Sequence, residues 1–272
     1  MMTYYNKYQK YKRKYVMLKM SGGNQSMINA MDILNSTNKS FIFVNINLSV
    51  EEKEAINLLK FQQSLLELKH NLSYYGVFNE NRLSEMIAEY FIGSKNKSTI
   101  SNIFINKIIK PYLLATKCNS LWFTIRIFTS NDEFTVPRWH TDGNFYVEPE
   151  NKNQYKMAGV LLGPGTLFKE SSDFNFIDLH REVYKNFDLK NWDNEIDIEN
   201  RKIIDNALSK YQIVEPNNDE VAIFAVGNNK PAIHSEPDMS KIDRVRIFYS
   251  VVSGSEDNIK NLAKRLNRTF IS

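Results

Sequence analysis

Apolar residues recur at helical spacing through much of the first 118 residues and at alternate positions over much of the remaining chain. Tyr4, Tyr8, Tyr11, Tyr15 and Leu18 step by fours and threes, which predicts a helix with Lys7, Lys10 and Lys14 on another face. Ser21-Gly22-Gly23-Asn24 ends it as a flexible joint. Ser40 to Leu48 reads as a strand, and Ser49-Val50-Glu51-Glu52 is a capping box opening a helix that carries Ile56, Leu59 and Leu66 to about His70. Further helices are expected at Asn81–Ile92 and Thr99–Ala115, the second kinked or divided at Pro111.

After Asn119 the period shortens to two. Leu121–Thr129 is rich in aromatic and β-branched residues and puts Trp122, Thr124, Arg126 and Phe128 on one face. A turn at Ser130-Asn131-Asp132 leads to a strand ending in Pro137-Arg138-Trp139-His140-Thr141-Asp142-Gly143-Asn144. Lys156–Leu162 is the next strand, closed by the turn Gly163-Pro164-Gly165-Thr166. Helices around Phe176–Phe187 and Glu195–Lys210 intervene before strands at Gln212–Val214 and Glu220–Val226, a short strand ending in His234, and a last strand to Val252. The expected organisation is a basic helix and linker over 1–24, a mainly helical support over 25–118, a β-rich core over 119–254 with a helical insertion at about 170–211, and a C-terminal helix over 255–272.

Composition narrows the class. Hydrophobic residues at 42% and charged ones at 24% are ordinary for a globular chain. One cysteine, Cys118, excludes an intramolecular disulfide and points to a reducing, intracellular setting. No apolar run approaches the ~20 residues of a membrane-spanning helix, and no secretory segment comes after the basic start. The net charge of +4 comes from the first 20 residues, which hold six Lys/Arg and no acid; the other 252 residues carry 29 basic against 31 acidic side chains. A general polyanion-binding surface is therefore not expected on the body of the protein.

Two stretches carry chemistry. On a strand, residues i and i+2 share a face, so His140 and Asp142 project side by side. An imidazole and a carboxylate so placed are two thirds of the facial ligand set of a non-haem Fe(II) centre. The second stretch runs from Glu220 to Val252 and contains His234, a loop broken by Pro237, and Arg244 at the opening of the final strand, ten residues after the histidine. His70 falls near a helix end, where packing or capping accounts for it, and His180 lies on a helix as a structural or exposed residue.

Across Leu121 to Val252 the sequence resembles the Fe(II)/2-oxoglutarate-dependent dioxygenase superfamily. The signature is His-x-Asp, a distant His, and a basic residue about ten positions further on, filled here by His140, Asp142, His234 and Arg244. The resemblance implies an α+β fold with a double-stranded β-helix core (jelly-roll, cupin-like), a helical N-terminal portion and a helical insertion. It implies Fe(II) bound by His140, Asp142 and His234, with 2-oxoglutarate and O₂ as cosubstrates and C–H oxidation, most simply hydroxylation, as the outcome. The cosubstrate's far carboxylate needs a fixed, forked, permanently charged donor. Arg244 has the family spacing; Arg246 stands where many members have Ser or Thr, and shares its face. Arg126 and Thr124, on the strand before the metal pair, are candidate cosubstrate or substrate contacts. Arg138 could gate the site or form a strand-end ion pair, and Asn144 could orient substrate, whereas Trp122, Phe123 and Trp139 read as core.

The Tyr/Lys-rich opening followed by Gly-Gly resembles the N-terminal segment of many proteins of giant DNA viruses of the mimivirus type. This implies host cytoplasm or the virion as location; the helix itself reads as a sorting tag, a partner helix or a membrane-surface helix, or as an appendage of the domain. The substrate is unidentified, with a protein side chain or small molecule favoured over nucleic acid. The competing readings are a cupin-like metal- or ligand-binding protein without oxidative turnover, a hydrolase or isomerase using the same ligands, and a nucleic-acid demethylase of the same superfamily.

Overall fold

The computed structural model describes residues 23–62, 65, 71–147, 153–170, 175–188, 192–227, 230–243 and 245–272. The expected Tyr/Lys helix, His70 and Arg244 lie outside them. The described part is mixed α and β, with two antiparallel sheets.

The larger sheet has six strands: β1 (Phe41–Asn45), β2 (Leu72–Val77), β3 (Ser120–Phe128), β4 (Gln154–Leu162), β7 (Glu220–Val226) and β9 (Arg246–Gly254), in the order β1-β7-β4-β9-β3-β2. The smaller has three: β5 (Leu167–Lys169), β6 (Ile213–Val214) and β8 (His234–Ser235), in the order β6-β5-β8. From β3 onward the chain passes between them. It runs β3, a bridge at His140 to β8, then β4, β5, β6, β7, β8 and β9, with β3, β4, β7 and β9 in one sheet and the rest in the other.

Alternation decides what each face of the large sheet meets. Phe123, Ile125, Met157, Val221, Ile223, Ile247, Tyr249 and Val251 are buried against helices in the main core. These helices include α1 (Gly23–Ser36), α2 (Val50–Leu59) and α3 (Glu80–Tyr90). Phe41, Phe43, Ala158, Ala222, Phe224 and Phe248 point the other way and pack with Phe168 and Val214 of the small sheet. The intervening space between these two layers is where the candidate site lies.

The capping box forms as expected: the Ser49 hydroxyl accepts from the Glu52 amide, and the Glu52 carboxylate accepts from the Ser49 amide. The helix it opens ends at Leu59, and Leu72–Val77, in a region expected to be mainly helical, pairs with β3 as β2. The 25–118 region thus adds an edge strand to each side of the large sheet. Pro111 does not divide its helix. α4 (Lys97–Asn102) runs through a π-helical segment (Ile103–Ile109) into α5 (Lys110–Thr116), with Pro111 near the start of the last. The wider turn just before the proline accommodates its missing N–H and its ring within one continuous rod.

The insertion contains α6 (Phe176–Val183) and α7 (Asn194–Ala207), which pack Phe176, Ile204 and Leu208 around Trp139. Lys169, almost fully buried, donates to the carbonyls of Leu208 and Tyr211 and lies over the Trp139 ring, so it ties the end of α7 to β5. The terminal helix α8 (Glu256–Arg265) packs Ile259, Leu262 and Ala263 on Tyr75 and Trp122, and its Arg265 donates to the carbonyl of Phe145 at 2.7 Å.

Candidate metal centre and its cavity

His140 is not in a regular strand. Its only ladder contact is a bridge to His234, in which each residue's amide donates to the other's carbonyl at 2.9 Å. Directly opposed residues of an antiparallel pair project on the same side. Two histidines 94 positions apart therefore stand together, ring centroids 4.3 Å apart. Asp142 follows at i+2 on the same face, with its backbone carbonyl held by the amide of Gly227 at 2.8 Å. One ligand atom from each of His140, Asp142 and His234 falls within 4.8 Å of the other two.

The imidazoles are set up alike. His140 Nδ1 lies 2.8 Å from the carbonyl of Arg138, and His234 Nδ1 lies 3.0 Å from the carbonyl of Ala232. A carbonyl only accepts, so Nδ1 carries a proton in both rings and Nε2 is the atom left to ligate. Burial, and then the neighbouring His140, push the His234 pKa down to about 4, so the ring is neutral near pH 7. Burial alone would raise the Asp142 pKa, but the charge and hydrogen bond of Lys156, whose Nζ is 2.8 Å from Oδ2, together with His234 and His140 outweigh it and hold the carboxyl far below the usual range. Two imidazoles with orienting second partners and one ionised oxygen donor fit a divalent first-row metal.

These side chains line a cavity of about 240 Å³. Its wall includes Trp122, Arg126, Phe128, Phe145, Lys156 and Arg246. Arg246 is 2% exposed; its Nε donates to the Pro164 carbonyl at 2.9 Å and one Nη to the Thr166 hydroxyl at 3.3 Å. The Phe128 and Phe248 rings flank it at 5.7 and 5.0 Å. Among the described residues no carboxylate is in ion-pair contact with it; burial lowers its pKa to about 10, with the charge of Glu236 opposing the shift. A deeply buried guanidinium without an acidic partner is costly unless an anion completes it.

The other expected residues divide. Arg126 lines the cavity from β3. Thr124 does not: its hydroxyl donates to the Leu72 carbonyl at 2.9 Å, which ties β3 to β2. Arg138 makes an ion pair with Glu236 at 2.6 Å on the cavity wall. Asn144 sits against Gly227, and His180 is stacked on Tyr184 at 4.6 Å. Phe123 and Trp139 are core as expected, but Trp122 lines the cavity. Lys156 and Glu236 were missed. The signal for Lys156 was present, a lone charge on the inward parity of an otherwise apolar strand.

No family model matches the chain, and no curated protein matches it. Similar solved structures include a prolyl-4-hydroxylase from Pseudomonas putida (9% identity, 84% of this chain and 94% of that one, TM-score 0.42). Others are HygX from Streptomyces hygroscopicus with nickel and 2-oxoglutarate bound (10%, 80% and 85%, TM-score 0.39) and the non-heme alpha ketoglutarate dependent epimerase SnoN from nogalamycin biosynthesis (12%, 83% and 84%, TM-score 0.41). At TM-scores this low the likenesses carry no inference, and the reading of the site rests on its own geometry.

Proposed function

We propose that the chain is an Fe(II)- and 2-oxoglutarate-dependent oxygenase, most simply a hydroxylase, built on a double-stranded β-helix. The observation that carries this is the meeting of two groups in one cavity: two imidazoles with an ionised carboxylate, and a buried guanidinium that no carboxylate contacts among the described residues. The passage of successive strands between two facing antiparallel sheets supports the fold reading.

His140, Asp142 and His234 would hold the metal, which when bound supplies O₂ activation coupled to oxidative decarboxylation of the 2-oxo acid. The chain's own residues bind and orient. The Arg138 and Ala232 carbonyls fix the ring tautomers, the Gly227 amide fixes the Asp142 backbone, and Lys156 keeps the carboxyl ionised. Arg246, held in place by Pro164 and Thr166, anchors the far carboxylate of 2-oxoglutarate, and the aromatic wall excludes water around it. Arg244, the other candidate for that anchor, lies outside the described residues.

The test is anaerobic addition of 2-oxoglutarate to the Fe(II)-loaded protein. A metal-to-ligand charge-transfer band is expected in the wild type and none in His140→Ala. Metal uptake without a band would remove the cosubstrate from the reading and leave a cupin-like metal-binding protein.

A further inference from the structure

We infer that the oxygenase's substrate is an anion, a carboxylate or phosphate attached to an apolar body, and that Arg126 at the cavity wall receives its charge. The inference rests on the oxygenase reading, because it assigns Arg246 to the cosubstrate.

Charge balance makes the first argument. The cavity is lined by four cationic side chains, Arg126, Arg138, Lys156 and Arg246, against two acidic ones, Asp142 and Glu236. Glu236 is occupied by Arg138 and Asp142 by Lys156. A divalent metal adds two positive charges and the 2-oxoglutarate dianion removes them, so the loaded cavity keeps an excess of two. The body of the chain is slightly acidic, so this excess is local to the cavity. A low-dielectric wall focuses such a charge on whatever enters.

Unsatisfied donors make the second. Among the described residues, Arg126 forms no ion pair, and none of its side-chain nitrogens has a hydrogen-bond partner; it is the exposed member of the pair with Arg246. Strand register places it opposite Phe248 and diagonal to Arg246, so the two guanidinium groups serve adjoining parts of one space. On the same strand and face, the buried Nε1 of Trp122 also has no acceptor. Its ring is stacked on Tyr75 at 5.4 Å and meets Phe145 edge-on at 5.8 Å, so it cannot turn away. Donors without acceptors, set among aromatic faces, call for a ligand that brings oxygen acceptors and an apolar surface together.

The test uses the anaerobic Fe(II)–2-oxoglutarate protein with three probes that differ in one group: phenyl phosphate, phenylacetate and neutral 2-phenylethanol. Binding is read by calorimetry and by perturbation of the charge-transfer band. At least one anion should bind about 10-fold or more tighter than the alcohol, the difference of one charge-assisted hydrogen bond. The phosphate and carboxylate arms separate the two sources of charge. Arg126→Gln should abolish the anion preference and Arg126→Lys retain part of it, with 2-oxoglutarate affinity unchanged in both. Equal binding of the alcohol, no binding of either anion at millimolar concentration, or an equal loss of 2-oxoglutarate affinity in Arg126→Gln overturns the inference. Absence of the band in wild type overturns the oxygenase reading with it, and is seen before any probe is added.

Discussion

Gly227 is the position at which fold and site are most tightly coupled, and Gly227→Ala tests that coupling. Its φ is +87°, and a Cβ built there would lie 1.8 Å from Asn144 Oδ1 and 2.8 Å from Asn144 Cγ. Its amide also holds the Asp142 carbonyl at 2.8 Å. Left-handed backbone costs an L-residue about 1–2 kcal/mol, and forcing a methyl into a filled space costs about 1–3 kcal/mol. A combined destabilisation near 3 kcal/mol corresponds to a fall in melting temperature of roughly 6–12 °C for a chain of this size. The Asn144 side chain must give way, and it lies two residues from Asp142, so divalent-metal affinity should fall about 10-fold or more.

The two contributions are separable. Asn144→Ala removes Oδ1 and Cγ, which relieves the clash but not the backbone strain. Combined with Gly227→Ala it should recover at least about 1 kcal/mol, a coupling energy in a double-mutant cycle. Gly143 is the control. It adjoins Asp142, but a Cβ there meets nothing within 4 Å, so Gly143→Ala should stay within about 0.5 kcal/mol of wild type. Thermal melts of the metal-free protein and Co(II) titrations give both readouts. Wild-type behaviour of Gly227→Ala in both, or strict additivity with Asn144→Ala, would refute the claim that this packing positions the carboxylate.

Arg246→Met should raise the melting temperature of the ligand-free protein, since it removes a buried charge that lacks an acidic partner, while weakening 2-oxoglutarate binding about 100-fold in the charge-transfer titration; a stability loss with unchanged affinity would contradict the anchor role. His180 is depressed by burial and then by the charge of His140, so its folded pKa lies below its unfolded one. Its contribution is therefore full above the ordinary histidine pKa and lost as pH falls from that value through the lower, folded one. His180→Phe should show a shallower loss of stability on acidification, measured by denaturant titration at stepped pH. Metal removal by a chelator should lower the melting temperature of the wild type, by about 2.7 kcal/mol of linkage when the metal had been at 100 times its Kd, and leave His234→Ala unchanged. An equal shift in both proteins would place the metal elsewhere.

The ligand pair was legible because it depends on parity alone. His140 and Asp142 share a face although the segment makes a single bridge and no strand, since an extended backbone suffices. Partnership with His234 was legible only through the resemblance; in the structure it comes from a backbone bridge, and hydrophobic pattern does not encode that. β2 was missed because Leu72-Ser-Tyr-Tyr-Gly-Val has three consecutive buried residues, the third a glycine, so no alternation shows. The glycine answers to tertiary packing: a Cβ on Gly76 would lie 2.2 Å from the Ile271 carbonyl oxygen, where the chain terminus crosses β2. Thr124 had the correct parity but a partner on the neighbouring strand, and parity cannot tell a cavity from a strand junction.

The cradle of Arg246 shows how a turn signal can conceal a binding device. Gly163-Pro164-Gly165-Thr166 reads in sequence only as the end of a strand. In the structure β4 and β9 lose register between Val160 and Leu162, and a bulge of this kind bends and twists the strand that carries it. The bent strand brings the turn over Arg246. Gly163 has φ +89°, which strains any L-residue, and a Cβ there would crowd the Arg246 Cβ at 3.0 Å; the next residues supply the Pro164 carbonyl and the Thr166 hydroxyl. Both partners are neutral acceptors. They orient the guanidinium without neutralising it, whereas a carboxylate in the same place would have left a finished ion pair and no affinity for a ligand. The binding capacity proposed for Arg246 would thus come from what the turn withholds, and would depend on the register shift that aims the turn.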